Sequence, residues 1–261
     1  MTALGIHWAS LAFGQTFTLT DAGSSFTAIG PSTINNTWNV PGIPFDVALN
    51  SQWFYRLGTS GAFQPFTTLT YDSLNSGLSG TSVLNLFFSG SGFSVALRYS
   101  LFGGTNSARM SEQIRVTNNN SGASLFELIQ YTNYDTSDST GVGDTVQRLN
   151  SSSIKQTGSG PTPAILQAGA TEIPDFSQIG QEFQVAVTGG AFTNLDSPAG
   201  TNIGQTISPI DAAYAFQWTP VIGPGITFQV GTDKIMAVPE PASLAALGLG
   251  VLALLRRRTR Q

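Results

Sequence analysis

Val83-Leu84-Asn85-Leu86-Phe87-Phe88-Ser89-Gly90-Ser91-Gly92-Phe93-Ser94-Val95-Ala96-Leu97-Arg98-Tyr99-Ser100-Leu101 is the stretch that decides the fold class. Its second half alternates strictly. Phe93, Val95, Leu97, Tyr99 and Leu101 fall on one face, and Ser94, Ala96, Arg98 and Ser100 on the other. A period of two is the mark of a strand with one buried and one wetted face. The first half, Val83 to Phe88, is a second apolar arm. Between them Ser89-Gly90-Ser91-Gly92 supplies glycines for the positive φ of a tight reversal. The stretch predicts an antiparallel hairpin.

The same grammar extends over the body. Arg109–Thr117 puts Met110, Ile114 and Val116 on one face, Asn118 to Gly122 follows as a turn, and Leu125–Tyr134 is read as the return arm. Tyr214, Phe216 and Trp218 alternate before a Pro/Gly loop over 219–225, and Ile226, Phe228 and Val230 alternate after it. These are read as two more hairpins. Phe17–Leu19, Phe26–Ile29 and Trp53–Leu57 are shorter strand candidates. Residues 141–163 are polar and Gly/Ser-rich and are expected to form a long surface loop. No body segment has a helical period. The prediction over 15–235 is all-β, an antiparallel, jelly-roll-like β-sandwich.

Composition narrows the function classes. Charged residues make up 10% of the 261, and cysteine is absent, so there is no disulfide framework, thiol nucleophile or zinc-thiolate site. Four of the 11 basic residues lie in the last six positions. That leaves seven against 15 acidic residues, a body of about −8. An acidic body is poorly suited to nucleic acid. The single histidine, His7, rules out a Ser-His-Asp triad or a multi-histidine metal site in a body that starts after it.

The C-terminus has its own pattern. Val238-Pro239-Glu240-Pro241 must be extended, because two prolines fix φ and remove two donors. Ala242 to Leu255 carries no charge and suits a helix of roughly 21 Å, against a bilayer core of about 30 Å. Arg256, Arg257, Arg258 and Arg260 close the chain. Cations there stop translocation and fix orientation by the positive-inside rule, and snorkelling covers missing length.

In order, spacing and position these residues resemble the PEP-CTERM sorting signal of Gram-negative bacteria. The resemblance covers about a tenth of the chain. It implies that an exosortase recognises Val238, Pro239, Glu240 and Pro241 and removes the tail. It also implies a transmembrane helix over 242–255, an inner-membrane-anchored precursor, and delivery to the cell surface or an extracellular matrix with exopolysaccharide and biofilm. A sorted protein needs a secretory signal. Residues 1–14 offer a weak apolar run with small residues at Ala12 and Gly14 but no basic n-region, and are read as a signal peptide truncated by a late start codon. The expected organisation is signal 1–14, body 15–235 and sorting signal 236–261.

Candidate sites in the body are sparse. Glu112, Glu127, Asp135, Asp138 and Asp144 are the carboxylates that could serve a glycosidase pair, with an ion pair from Glu112 to Arg98, Arg109 or Arg115 as the plainer reading. Asp135, Asp138 and Asp144, among hydroxyls and glycines, could ligate Ca²⁺, although the spacing is not that of an EF-hand. No other cofactor is expected. Trp38, Trp53 and Tyr55 could stack on sugar rings or fill the core. The expectation is a non-enzymatic surface or matrix protein. The alternative is a glycan-binding, or glycan-processing, sandwich carried by the same signal.

Overall fold

The computed structural model of the chain describes residues 15–30, 36–43, 47–134, 136, 143–159, 164–181, 195, 197–198, 202–210 and 212–238. Two antiparallel sheets pack face to face. In the first sheet the order is β1 (Gln15–Asp21), β2 (Ser24–Gly30), β3 (Asn36–Asn39), β4 (Val47–Leu57), β11 (Ser124–Tyr134), β18 (Ala212–Trp218), β15 (Phe176–Gln181) and β16 (Ser197–Pro198). Short strands β5 (Gln64–Pro65) and β19 (Val221–Ile222) pair onto β4 and β11. The second sheet runs β17 (Thr206–Ile210), β12 (Asp144–Asn150), β13 (Ser153–Thr157), β14 (Ile165–Ala170), β20 (Thr227–Ala237), β10 (Ser107–Asn118), β9 (Phe93–Gly103), β8 (Val83–Gly90) and β6 (Thr70–Tyr71). Strand β7 (Gly77–Leu78) adds to β8. The all-β antiparallel sandwich predicted from the alternation is the fold observed.

The deciding hairpin forms in the register its sequence dictates. Val83 faces Ser100, Phe87 faces Ala96 and Gly90 faces Phe93. Gly92, at φ 80°, makes the reversal that a side chain would strain. Phe93, Val95, Leu97, Tyr99 and Leu101 are all buried, as are Leu84, Leu86 and Phe88 from β8. Strand β10 adds Met110, Ile114 and Val116 to the same core, and the first sheet answers with Trp38, Trp53, Phe126, Leu128, Tyr214 and Phe216.

The other two expected hairpins are corrected. Strand β10 pairs with β9 and β20, whereas β11 pairs with β4 and β18. The turn between β10 and β11 therefore steps from one layer to the other. Asn118 builds that corner. Its Nδ2 donates to the carbonyls of Gly122 and Ile222, both at 2.8 Å, and its Oδ1 accepts from Asn120 N at 2.9 Å. Likewise β18 and β20 lie in opposite sheets. Turn residues announce a reversal but not the partner, and sandwiches use reversals to change layer as well as to pair neighbours.

Residues 144–157 do not form the expected surface loop. Strands β12 and β13 pair there. Their inward positions include Asp144, Arg148 and Gln156, all buried, so a hydrophobic alternation was absent while the structural one was present. Among the described residues no helix is long and apolar enough to cross a membrane. The expected signal 1–14, transmembrane helix 242–255 and arginine tail lie outside the described residues. Strand β20 runs two residues past the expected body boundary, to Ala237.

Candidate functional site

The two faces of the second sheet carry different chemistry. Inward, Glu112 of β10 and Lys234 of β20 form an ion pair with neither side chain exposed. Glu112 also accepts from Ser51 Oγ and Trp53 Nε1, each at 3.2 Å. Lys234 Nζ donates to Ser51 Oγ at 2.8 Å, and Gln130 Nε2 donates to the same hydroxyl at 3.0 Å. Burial pulls the Lys234 amine below its ordinary value, opposed by Glu112. Burial also raises the phenols of Tyr99, Tyr134 and Tyr214 well above theirs. Glu112 thus shares its face with Met110, Ile114 and Val116. Its partner is Lys234 rather than any of the three arginines, which point the other way.

The other expected site residues of the body that are described pack inside the sandwich. Glu127 pairs with Arg56, both side chains buried. Asp144 Oδ2 accepts from Thr136 N at 3.1 Å, Thr136 Oγ1 at 2.8 Å and Gln156 Nε2 at 2.8 Å. That carboxylate is turned into the core and away from a solvent-facing cation site. Asp135 and Asp138 lie outside the described residues. Among the described residues no three acidic or histidine side chains cluster to hold a metal. Trp38 is buried against Tyr134, and Trp53 stacks on Trp218 at 5.9 Å. Tyr55 is half-buried among Phe66, Phe93 and Phe126. These rings fill the sandwich, and the sugar-stacking role expected of them has no open face. Val238 N donates to Asn106 O at 3.0 Å, where the sorting stretch leaves the sheet. Pro239, Glu240, Pro241, Arg256, Arg257, Arg258 and Arg260 lie outside the described residues.

Outward, the second sheet holds a groove of about 610 Å³ at its β8 edge. Cross-strand pairing builds it. Phe87, Ala96 and Arg115 form one row across β8, β9 and β10, and Ser89, Ser94 and Thr117 form the next. Ala96 and Ser94, both small, make the floor along β9. The side chains of Phe87 and Arg115 stand about 10 Å apart, two strand spacings. The outer wall is the loop between β6 and β7. Asp72 N donates to Phe87 O at 2.9 Å, and Phe87 N donates to Ser76 Oγ at 2.9 Å, so the loop is stitched to that position. Asp72 folds the loop on itself. Its carboxylate accepts from Asn75 Nδ2 at 2.6 Å, Asn75 N at 3.2 Å and Leu74 N at 3.1 Å. Hydrogen bonds, that of the Asn75 side chain foremost, hold the carboxyl below its ordinary range, so it faces solvent as an ionised acceptor.

The groove therefore offers an aromatic wall, a guanidinium, a carboxylate, an amide and several hydroxyls around an open trough. That mixture suits a polyhydroxylated ligand, which needs a flat apolar face and many hydrogen bonds. The sequence held a signal for it that went unread. Phe87 follows strand parity onto the wetted face, where an aromatic among Ser, Asn and Arg has no packing reason to be.

No curated protein matches the chain in sequence. Solved structures match its fold. The chain is similar to Slr1438 from Synechocystis sp. PCC 6803, with a TM-score of 0.51, 10% identity, and coverage of 87% of this chain and 96% of that one. It is also similar to a galactose mutarotase related enzyme from Lactobacillus acidophilus, with a TM-score of 0.50, 7% identity, and coverage of 87% and 98%. These likenesses show the fold. They correct the expectation of a non-enzymatic body, since a fold shared with a protein described as an enzyme gives no ground for setting catalysis aside. The lack of cysteine, and of histidine after His7, had excluded only the chemistries that need them. A second match covers the C-terminus: residues 237–260 carry the PEP-CTERM protein-sorting motif, the signal of an exported protein that is processed by exosortase and membrane-anchored in transit.

Proposed function

We propose that this chain delivers a glycan-binding, sugar-processing sandwich to the cell surface or its extracellular matrix. In this reading 1–14 serves as a secretory signal and 15–235 is the working body. Residues 242–255 span the inner membrane until exosortase acts at Val238–Pro241. Arg256, Arg257, Arg258 and Arg260 hold the tail at the cytoplasmic side, and exopolysaccharide is the material that the body meets.

The groove walled by Phe87, Arg115 and Asp72 is the observation that carries the body's role. Its volume falls within the range of ligand clefts. The mutarotase-related neighbour supports saccharide as the ligand class, and the sorting motif supports the destination.

Two measurements test the two halves. Full-length protein in detergent is titrated with a panel of oligosaccharides, and the interconversion of galactose anomers is followed by polarimetry. Binding is expected, weakened by Phe87→Ala and Arg115→Ala. A protein that binds no saccharide and does not change the anomer rate refutes the body's role. Mass spectrometry of surface-located protein tests the sorting. If it still ends in Arg256 to Gln261, the tail is an anchor only.

A further inference from the structure

The outer face of the second sheet concentrates positive charge in an acidic protein. Arg98, Arg109, Arg115 and Lys155 all point outward from it, four of the seven basic residues of the body. The register places Arg98 opposite Gln113 and Arg115 opposite Ala96. The two guanidinium side chains are thus diagonal neighbours on β9 and β10, roughly 7–8 Å apart at their origins. Arg109 and Lys155 lie further along, in a row that also holds Ile235 and Gln167.

Among the described residues one acid, Asp233, stands on the strands of this face, and a second, Asp72, stands across the groove on its wall loop. Asp233 takes a two-pronged bond from Arg109, at 2.7 and 3.2 Å. Arg98, Arg115 and Lys155 have no ion-pair partner among the described residues. Asp72, across the groove, is occupied by its own loop. Glu172 and Asp175 line a separate hollow beyond β20, where Asp175 is bound to Thr219. The other carboxylates of the second sheet, on Glu112 and Asp144, are inside. Between the cations the face carries Asn85, Gln113, Ser94 and Thr117, uncharged donors and acceptors.

We propose that the groove and the strip beside it bind an acidic polysaccharide, a glycan chain bearing carboxylates of the uronate type. This rests on the glycan reading and names the substrate class within it. The floor over Ser94 and Ala96 takes a sugar ring against Phe87. Arg115 and then Arg98, two residues further along the strand direction, meet successive anionic substituents. A guanidinium matches a carboxylate with two parallel hydrogen bonds. In a body of net negative charge, such a strip concentrates a polyanion on one face and repels it from the rest.

Full-length protein in detergent is titrated with polygalacturonate, its methyl-esterified form, dextran, polyglutamate and single-stranded DNA. Polygalacturonate is expected to bind tightest. Arg98→Ser and Arg115→Ser each weaken it at least about tenfold, as loss of a charged hydrogen bond does. Raising salt to about 0.5 M weakens it further. Both arginines are exposed, so folding is retained, and Lys155→Ser gives a smaller loss. Equal binding of the esterified polymer or dextran overturns the acidic class and leaves the glycan reading standing. Equal binding of polyglutamate or DNA overturns it in favour of bare charge. Polygalacturonate binding that ignores both arginine variants overturns the site. Binding to none of the glycans sinks this inference and the glycan reading together.

Discussion

Raising the pH should unfold this protein from the inside, and the size of the effect can be worked out. Tyr99, Tyr134 and Tyr214 are buried around the Glu112–Lys234 pair, and burial raises each phenol well above its ordinary value. The folded values lie above the unfolded ones. Their stabilising contribution is therefore complete below about pH 10 and is lost as pH rises beyond it. At about pH 11 an unfolded phenol of pKa about 10 gains roughly 1.4 kcal/mol by ionising, so three lose about 4 kcal/mol. Lys234 runs the other way. Its lowered value means that its cost disappears on approach to its unfolded pKa, which offsets part of the tyrosine loss. The phenol loss alone, about 4 kcal/mol, is a large part of a marginal stability of about 5–15 kcal/mol. Urea denaturation followed by tryptophan fluorescence, repeated from neutral to alkaline pH, measures it. Absorbance near 295 nm reports phenolate. Those three phenols should ionise only as the fluorescence shows unfolding. Ionisation of all six tyrosines near pH 10 with fluorescence and circular dichroism still native would refute the reasoning.

Other changes probe the same core and one close approach. Lys234→Met leaves the Glu112 carboxylate buried with two neutral donors and should cost about 3–5 kcal/mol. The double variant Glu112→Gln/Lys234→Met should cost clearly less than the two single changes summed, as a double-mutant cycle in urea shows. Gly103→Ala places a Cβ 1.9 Å from the Asp21 carbonyl oxygen, so backbone must move where β9 meets the β1–β2 turn. A loss of about 1–3 kcal/mol is expected in the same assay.

The strands were legible wherever apolar residues alternate with polar ones. Phe93 to Leu101 fixed a face, and the structure buries that face. That β10 and β11 lie in different sheets was not legible, because Asn118 shapes a layer-changing corner by reaching Ile222, more than a hundred positions away. β12 and β13 were missed for a related reason. Their inward residues Asp144, Arg148 and Gln156 are polar and bonded to distant partners such as Thr136 and Ser177, contacts no local pattern records. β18 was read as an alternating strand, but that pattern did not show that its second face is covered as well. Tyr214, Phe216 and Trp218 face the main core, while Ala213 and Ala215 face a second cluster with Phe54, Phe63 and Ile129, so both faces are buried. The groove was half legible. Ser94, Ala96 and Arg98 were seen as a polar face. That Phe87 and Arg115 wall the same trough follows from β9 lying between β8 and β10, which only register supplies.

The position of the groove relative to the tail joins the two halves of the proposal. Strand β20 begins at Thr227, which bonds Thr117 of the groove lining at 2.7 Å. It ends at Ala237, one residue before the sorting stretch. At about 3.3 Å per residue the two ends are roughly 35 Å apart, nearly the length of the sheet. Had the groove lain beside Asn106, where Val238 is tied down, a membrane holding the tail would have crowded its mouth. It lies at the far end instead. A sandwich tethered through its last strand thus points Phe87 and Arg115 away from the tether, both in the anchored precursor and after any attachment made through the same end. A polymer too large to slip between the protein and a surface still has access to the strip. That arrangement favours a long glycan over a small sugar that could reach a pocket in any orientation.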